Sequence, residues 1–239
     1  MQKNKINIIG NGFIAKNLKK IKFLNSKNFI IYAAGISNSK LQNANELKRE
    51  IYEITKFIKK LRNEKTLIYI STLSVLGKKT KSDPYIQNKK KIENLIKVNL
   101  KNYIILRFPQ VVGKNKNPNT LTNFLYNKIK NDKKFNIWYK TKRNLVDIAD
   151  IKNIIKKILL NKKSNKKIVN IKSNDSLYIE NIVSILSKIL KKKPRFKVLY
   201  SKKDYINNHI YNKSENEFTS KLMKKKNYTE KVLRKYYKW

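Results

Sequence analysis

The sequence predicts an α/β fold built on a parallel sheet, and three observations lead to that class. Apolar segments of strand length alternate with longer segments whose apolar residues recur at helical spacing. Strands that alternate with helices form crossover units, which make parallel sheets. The length of 239 residues and the 40% apolar content suffice for one large domain, or for a domain with a small appendage.

The predicted elements follow one another with short connections. The strands are residues 5–10 (KINIIG), 28–34, 66–71, 103–107 and 167–171. The helices are residues 13–21, 41–62, 85–98, 121–129, 151–160 and 179–190. From about Pro109 the pattern is less regular, and the last forty residues are polar and helix-prone.

The chain is strongly basic, with 58 Lys+Arg against 15 Asp+Glu and a net charge of +43. Such a charge suits a nucleic acid or an anionic membrane. However, the basic residues are nearly all Lys and are scattered, while Asn and Ile are also abundant. Nucleic-acid readers favour Arg for base contacts. Drift towards A/T-rich codons explains the profile better, and nucleic acid is an unlikely partner by this interpretation.

Several classes of protein are excluded by composition. With no Cys and a single His, disulfide scaffolds, thiolate or His-based metal sites and a Ser-His pair are improbable. The longest uncharged stretches, such as residues 28–39, are too short to span a bilayer, and no signal segment opens the chain. The expected location is cytoplasmic, with no metal and no membrane partner.

The five glycines lie just after predicted strands, where parallel sheets bind ligands. Gly10 and Gly12 follow the first strand, and Gly35 follows the second. Residues 10–15 form a G-x-G-x-x-A turn between a strand and a helix. Such a turn lets a pyrophosphate approach backbone N–H groups, so a dinucleotide site is predicted here.

Tyr85 and Lys89 form a Y-x-x-x-K pair whose spacing puts both side chains on one face of a helix. A neighbouring ammonium would lower the pKa of the tyrosine towards neutrality. The composition predicts about three such pairs by chance, and three occur, the others starting at Tyr52 and Tyr126. Only Tyr85 follows a strand that ends in hydroxyl residues and a glycine loop. Tyr52 and Tyr126 are interpreted as packing residues.

The order of these motifs resembles the extended short-chain dehydrogenase/reductase family, in particular its NAD-dependent nucleotide-sugar epimerase/dehydratase branch. The similar segments are IIGNGFIAKNL (8–18), IIYAAG (30–35), YISTLSVLG (69–77), ILRFPQVVG (105–113), RNLVDIADI (143–151) and IVNIKSNDSLYIENIVSIL (168–186). The resemblance implies a Rossmann-like doubly wound parallel sheet. Residues 1–108 would be the dinucleotide-binding core and 109–239 a small substrate-binding region interleaved with its end.

The resemblance also implies roles for individual residues. Tyr85 would be the acid/base residue, Lys89 would hold the nicotinamide ribose and lower the pKa of Tyr85, and Thr72 would bond the reacting sugar oxygen. The cofactor, NAD or NADP, would contact Gly10, Gly12, Phe13, Ile14, Ala33, Ala34 and Gly35. Gln110 and Arg143 are candidates for the substrate phosphates, although Arg143 could equally be a surface cation.

The chain also departs from the family pattern. Two strands that usually build the adenosine pocket are missing, since only residues 22–27 separate the first helix from the second strand. The expected ribose-binding acid is replaced by Ile30, Ile31 and Tyr32. The adenosine half is therefore trimmed or rebuilt. Right-handed crossovers make a direct join of these strands awkward, and an edge strand at residues 21–24 would relieve it.

The residues after Thr72 limit the reaction. Leu73 and Ser74 stand where the family's dehydratases carry Asp-Glu, so elimination of water lacks its acid and base. An NAD(P)-dependent epimerase or reductase of a nucleotide sugar is predicted, for surface polysaccharides, as a homodimer paired through helices 41–62 and 85–98. The alternatives are a non-catalytic dinucleotide-binding sensor and, third, a polyanion-binding protein.

Overall fold

The computed structural model describes residues 7–21, 28–36, 43–61, 64–77, 83–160, 166–200 and 226–238. These residues divide into two compact units. The first unit contains the described residues up to Phe108 together with Ala149–Ile171. The second contains Pro109–Ile148 and the described residues from Lys172 onwards.

The strands are short and mostly apolar. They are β1 Asn7–Ile9, β2 Phe29–Tyr32, β3 Thr66–Thr72, β4 Tyr103–Phe108, β5 Gln110–Val112, β6 Phe135–Trp138, β7 Lys142–Asp147, β8 Lys167–Asn170, β9 Ser176–Tyr178 and β10 Phe196–Leu199. The helices are α1 Phe13–Lys19, α2 Ala44–Lys60, α3 Pro84–Asn99, α4 Leu121–Lys130, α5 Ile148–Leu160, α6 Ile179–Leu190 and α7 Tyr228–Tyr237. A 3-10 turn covers Leu73–Leu76. No described helix is long and apolar enough to cross a bilayer.

A five-stranded parallel sheet in the order β1-β2-β3-β4-β8 forms the first unit. The predicted α/β class with a Rossmann-like parallel sheet is therefore confirmed. Within the described ranges β1 is an edge strand whose neighbour is β2. This pairing agrees with a sheet trimmed beside its first strand. The edge strand expected at residues 21–24 lies, apart from Ile21, outside the described residues.

The helices α2 and α3 pack on one face of this sheet. α2, predicted from residue 41, begins at Ala44, where the side chain of Asn43 accepts two N–H groups. α3, predicted from residue 85, begins at Pro84, and Asp83 accepts the N–H of Ile86. Alternate strand residues such as Leu67 and Tyr69 point into the core that they share. The remaining members of this core include Tyr32, Ile54, Ile58, Ile92, Ile96, Tyr103 and Ile105. The rigid core fixes the ends of α2, α3 and β3, where the candidate site lies.

The second unit contains strands that the periodicity did not predict. β5, β7 and β9 form one sheet, and β6 pairs with β10 in another. α7 is attached by polar contacts, since Lys235 Nζ lies 2.7 Å from an Asp147 oxygen and the Thr229 N–H donates to Asp175 over 3.0 Å. The last forty residues were predicted to be helix-prone, and α7 is a helix among them; residues 201–225 and 239 lie outside the described residues.

Candidate functional site

The carboxyl ends of three neighbouring parallel strands carry the glycines and hydroxyl residues singled out in the sequence. Gly10 follows β1, Ala33, Ala34 and Gly35 follow β2, and Thr72 ends β3. β2 lies between β1 and β3 in the sheet. Strand order and parallel direction therefore bring these segments to one edge, the edge at which open α/β sheets bind ligands.

The backbone requires glycine at position 10 but not at position 12. Gly10 has a φ of +120°, and a Cβ there would lie 2.4 Å from the carbonyl oxygen of Ala33, so only glycine fits. Gly12 has an ordinary φ of −72°, and a Cβ would meet nothing within 4 Å. Phe13 and Ile14 open α1 and are half-buried. The turn is tight at Gly10 and open at Gly12.

Tyr85 lies in the first turn of α3, and its side chain is close enough to Thr72 for the threonine to lower the pKa of the phenol. Its side chain packs with Val75 and Ile86, leaving 8% of the residue exposed. Thr72 Oγ1 also accepts the N–H of Ser74 over 3.2 Å, so its own proton can be donated to the phenol oxygen. Thr72 and Tyr85, which are 13 positions apart in the sequence, thus lie side by side, but the phenol is largely shielded from solvent.

Lys89 is buried and paired with a residue that sequence reasoning missed. Its Nζ lies 2.5 Å from Glu50 Oε1, and both side chains are below 5% exposed. Asn88 donates to the other Glu50 oxygen over 2.8 Å, and Nζ approaches Tyr69 Oη at 3.4 Å. A signal was available, because Glu50 falls on the same face of α2 as the core residues Leu47, Ile54 and Ile58. An acid on such a face points to a buried partner.

The expectation that Lys89 lowers the pKa of Tyr85 is wrong for this structure. Burial raises the pKa of Tyr85, the charge of Glu50 raises it further, and the hydrogen bond from Thr72 lowers it. Because the ammonium of Lys89 is paired with Glu50, its favourable effect on a phenolate is offset. Burial also lowers the pKa of Lys89, against the opposing effect of Glu50. Tyr85 is therefore a protonated phenol at neutral pH.

Gly35 has a contact that explains its lack of a side chain. A Cβ there would lie 2.6 Å from Lys89 Nζ and 2.7 Å from Glu50 Oε1. The glycine leaves room for the buried ion pair. That role stands beside the predicted contact with a cofactor ribose, which stays a prediction.

A second ion pair lies one turn further along α3. Arg107 on β4 donates to both oxygens of Glu93, Nε over 3.0 Å and Nη2 over 2.5 Å. Ser71 Oγ adds a contact of 2.6 Å to Glu93. Ser71 and Thr72, adjacent on β3, thus serve the ion pair and the tyrosine respectively.

The predicted substrate residues belong to the second unit. Gln110 starts β5 and is paired in register with Leu145 of β7. Arg143 lies on β7 and is half-buried, with one guanidinium nitrogen donating to the carbonyl oxygen of Lys142 over 3.0 Å. Their roles as phosphate ligands stay predictions.

The two chance pairs of Tyr and Lys differ from Tyr85–Lys89. Tyr52 is 62% exposed, so its interpretation as a packing residue is wrong. Lys56 Nζ lies 6.0 Å from the centre of the Tyr52 ring. Tyr126 does pack, with its ring 4.9 Å from that of Tyr237. Burial and a carboxylate partner distinguish Lys89.

Comparison with known proteins gives a fold but no sequence family. No protein-family model matches the chain, and no curated protein matches it. Solved structures that match include UDP-glucose 4-epimerase of Thermus thermophilus with NAD, at 14% identity and TM-score 0.62 over 72% of this chain and 65% of that one. UDP-glucuronic acid 4-epimerase of Bacillus cereus with UDP-glucuronic acid and NAD matches at 21% identity and 0.62, over 80% and 66%.

A third neighbour is closer in length. The protein RMD of Pseudomonas aeruginosa, complexed with NADPH, matches at 13% identity and TM-score 0.66 over 82% of this chain and 87% of that chain. The chain spans slightly less than two thirds of the two epimerases. All three neighbours were crystallised with NAD or NADPH, and the identities establish likeness of fold alone.

Proposed function

We propose that this chain is an NAD(P)-dependent epimerase or reductase of a nucleotide-activated sugar, with Tyr85 as the proton-transfer residue. The observation that carries the proposal is the placement of Tyr85 beside Thr72 at the carboxyl end of the parallel sheet. Lys89 follows one helical turn later, and the glycine turn after β1 lies on the same sheet edge. The NAD- and NADPH-bound neighbours support this reading of the fold.

The glycine turn fits a dinucleotide at one point in particular. The open space beside Gly12 is what close approach of a pyrophosphate requires. Gly10, Gly12 and Phe13 would line the pyrophosphate, with Ile14 beside them, and Ala33, Ala34 and Gly35 would line the ribose side of the cofactor. A bound nicotinamide would supply or accept the hydride at the sugar carbon. The charge of +43 would speed the approach of an anionic nucleotide sugar.

Tyr85 is suited to giving a proton to a carbonyl oxygen, because its raised pKa keeps the phenol protonated. Thr72 lies beside the phenol, and its hydroxyl would donate to the same sugar oxygen once the substrate is bound. The shielding of Tyr85 by Val75 and Ile86 keeps water from competing for that proton. Gln110 and Arg143 would bind the substrate phosphates. Leu73 and Ser74 supply no acid or base for a dehydration step.

A second candidate is a dinucleotide-binding module without turnover. Two observations favour it: Lys89 is engaged by Glu50, and Tyr85 is 8% exposed. A site of this kind would bind the cofactor at the glycine turn and leave the phenol idle.

Cofactor titration and one matched pair of variants test the proposal. Calorimetry with NAD, NADH, NADP and NADPH should show saturable binding, and a panel of UDP-, dTDP- and GDP-sugars should reveal turnover. Tyr85→Phe should lower kcat by about 10²–10⁴ with cofactor affinity unchanged. Tyr52→Phe removes the same hydroxyl from an exposed Y-x-x-x-K pair and should change nothing. Binding without turnover selects the second candidate, and absence of cofactor binding overturns both.

The proposal also covers assembly and setting. We infer a homodimer paired through α2 and α3, in a cytoplasmic pathway to surface polysaccharides. Val98 at the end of α3 is 74% exposed, as a contact residue of such a dimer would be in one isolated chain. Sedimentation of the wild type and of Val98→Asp tests the pairing, since the aspartate should shift the protein to monomer.

A further inference from the structure

Glu50 is the one carboxylate that contacts Lys89, among the described residues, and it is fully engaged. Oε1 accepts from Lys89 over 2.5 Å and Oε2 from Asn88 over 2.8 Å. Since 4% of the side chain is exposed, water does not compete for either oxygen. The carboxylate therefore has a fixed position on α2 and a fixed partner on α3.

The ammonium of Lys89 is confined by its surroundings. It lies 3.4 Å from Tyr69 Oη and 5.6 Å from the centre of the Tyr85 ring. On another side Gly35 leaves just enough room for it, because a Cβ would come within 2.6 Å. A lysine has four rotatable side-chain bonds, so the opposite charge is what selects this one position.

We propose that Glu50 is a positioning residue of the site: its carboxylate, held by Asn88, fixes the Lys89 ammonium between Gly35 and Tyr85. This inference rests on the proposed function, because it is Tyr85 that would transfer the proton. Glu50 contacts Lys89 and Asn88, and no contact between Glu50 and a substrate is proposed. Its action is through the lysine.

The charges around Tyr85 indicate what Glu50 does to the phenol. The groups that face it are Glu50 from α2, Tyr69 from β3, and Asp83 and Lys89 from α3. Glu93, further along α3, acts on Lys89 and Tyr69. Glu50 makes the Lys89 pair neutral as a whole, so the phenol has no net cation beside it. The carboxylate thereby helps to keep Tyr85 protonated.

The first test needs no turnover. Tyrosine labelled with ¹³C at Cζ gives NMR signals that move on ionisation, and the signal missing in Tyr85→Phe identifies Tyr85. In Glu50→Gln the Tyr85 signal should begin to move at least about one pH unit lower than in the wild type. Glu53→Gln, an exposed carboxylate one turn away on α2, should leave it in place. An unchanged Tyr85 titration in Glu50→Gln overturns the inference.

Further variants protect the test against loss of folding. Removal of one partner of a buried ion pair is costly, whereas Glu50→Gln/Lys89→Met removes both charges together. Tyr85 should titrate at the highest pH in Lys89→Met, which leaves Glu50 unpaired, and at a lower pH in the double variant. The reverse order, or no difference between these two, overturns the inference.

Turnover gives the second test. If the proposed function holds, the alkaline limb of the kcat profile should move to lower pH in Glu50→Gln by the same amount as the NMR titration, with the KM for the sugar unchanged. A profile that does not move while the protein is folded contradicts the positioning role. Absence of turnover in the wild type overturns the proposed function alone. The order in which Tyr85 titrates among the variants, measured by NMR, still decides the role of Glu50.

Discussion

Helix α3 carries two buried ion pairs that differ in geometry and surroundings. Arg107 meets Glu93 with two nitrogens, and Ser71 occupies a further lone pair. Lys89 meets Glu50 with one nitrogen, which also lies 3.4 Å from Tyr69 Oη. The first pair is a closed bidentate arrangement. The second is a single contact that lies beside the rings of Tyr69 and Tyr85.

The difference teaches how one helix separates structure from chemistry. A guanidinium that meets a carboxylate with two nitrogens is held in one orientation, and it stays charged inside a protein. An ammonium is a compact charge whose pKa responds to burial, and burial lowers the pKa of Lys89. Glu50 acts on the tyrosines Tyr32, Tyr69 and Tyr85, which lie at the end of β2, in the middle of β3 and at the start of α3. We therefore interpret Glu93–Arg107 as structural and Glu50–Lys89 as part of the site.

The largest expected effect is loss of one partner from either pair. Arg107→Met and Lys89→Met each leave a carboxylate buried without its cation, and each should lower the free energy of unfolding by about 3–5 kcal/mol. Urea denaturation measures both. The Glu50→Gln/Lys89→Met variant should recover much of the loss, because no unpaired charge remains.

The control for this experiment is the exposed ion pair between Arg234 and Glu230, whose side chains are 47% and 41% exposed. Arg234→Met should cost less than about 1 kcal/mol. If Lys89→Met were equally mild, the Glu50–Lys89 pair would not hold α2 to α3 and would not differ from an exposed ion pair.

The next effect is expected at Gly35, which touches only one of the two pairs. Gly35→Ala puts a methyl group 2.6 Å from Lys89 Nζ and should cost about 1–3 kcal/mol by overpacking. In a Lys89→Met background the cost should shrink, because the crowded ammonium is gone. In an Arg107→Met background it should not change.

Gly12→Ala is the matched control, since its Cβ meets nothing within 4 Å and its φ suits alanine. It should alter stability by no more than about 0.5 kcal/mol. A Gly35→Ala cost that is the same in all three backgrounds would show that Gly35 is not coupled to the ion pair.

A smaller effect is expected in alkali at Tyr32. Burial, followed by the charges of Glu50 and Glu53, raises the pKa of Tyr32 to about 12. The folded state then binds the phenol proton more tightly than the unfolded state does. The stabilisation is complete below the unfolded pKa near 10 and is lost as the pH rises towards 12.

Thermal unfolding between pH 9 and 12 measures this loss. Tyr32→Phe has no phenol to ionise, so its Tm should fall less steeply over that window than the wild-type Tm. The difference in the slope of Tm against pH between proteins with Tyr32 and with Tyr32→Phe should be the same in a Glu93→Gln background. In a Glu50→Gln background this difference should be smaller. Equal slopes in wild type and Tyr32→Phe would contradict the raised pKa.

Much of the first unit could be predicted from local sequence, whereas half of the site could not. Periodicity and caps are local, which is why α3, predicted over residues 85–98, is observed within one residue of both bounds. β5 and β9 have three residues each and exist through pairing with β7, so their own sequence carries little signal. Glu50 finds Lys89 across 39 positions. Spacing within α3 could point to Tyr85 and Lys89 but not to the charge that faces them.

The smallest expected effect concerns the exposed copy of the same motif. Tyr52 and Lys56 have the residue types and spacing of Tyr85 and Lys89, yet Tyr52 is 62% exposed and the ammonium lies 6.0 Å from the ring centre. In water a cation above a tyrosine contributes little, so Lys56→Met should change the free energy of unfolding by no more than about 0.5 kcal/mol. The same substitution at Lys89 should cost several times more. A large loss of unfolding free energy in Lys56→Met would mean that this face of α2 is covered in solution. The proposed dimer partner, a second copy of the chain, is the first candidate for that cover. Sedimentation of the Lys56→Met variant tests it.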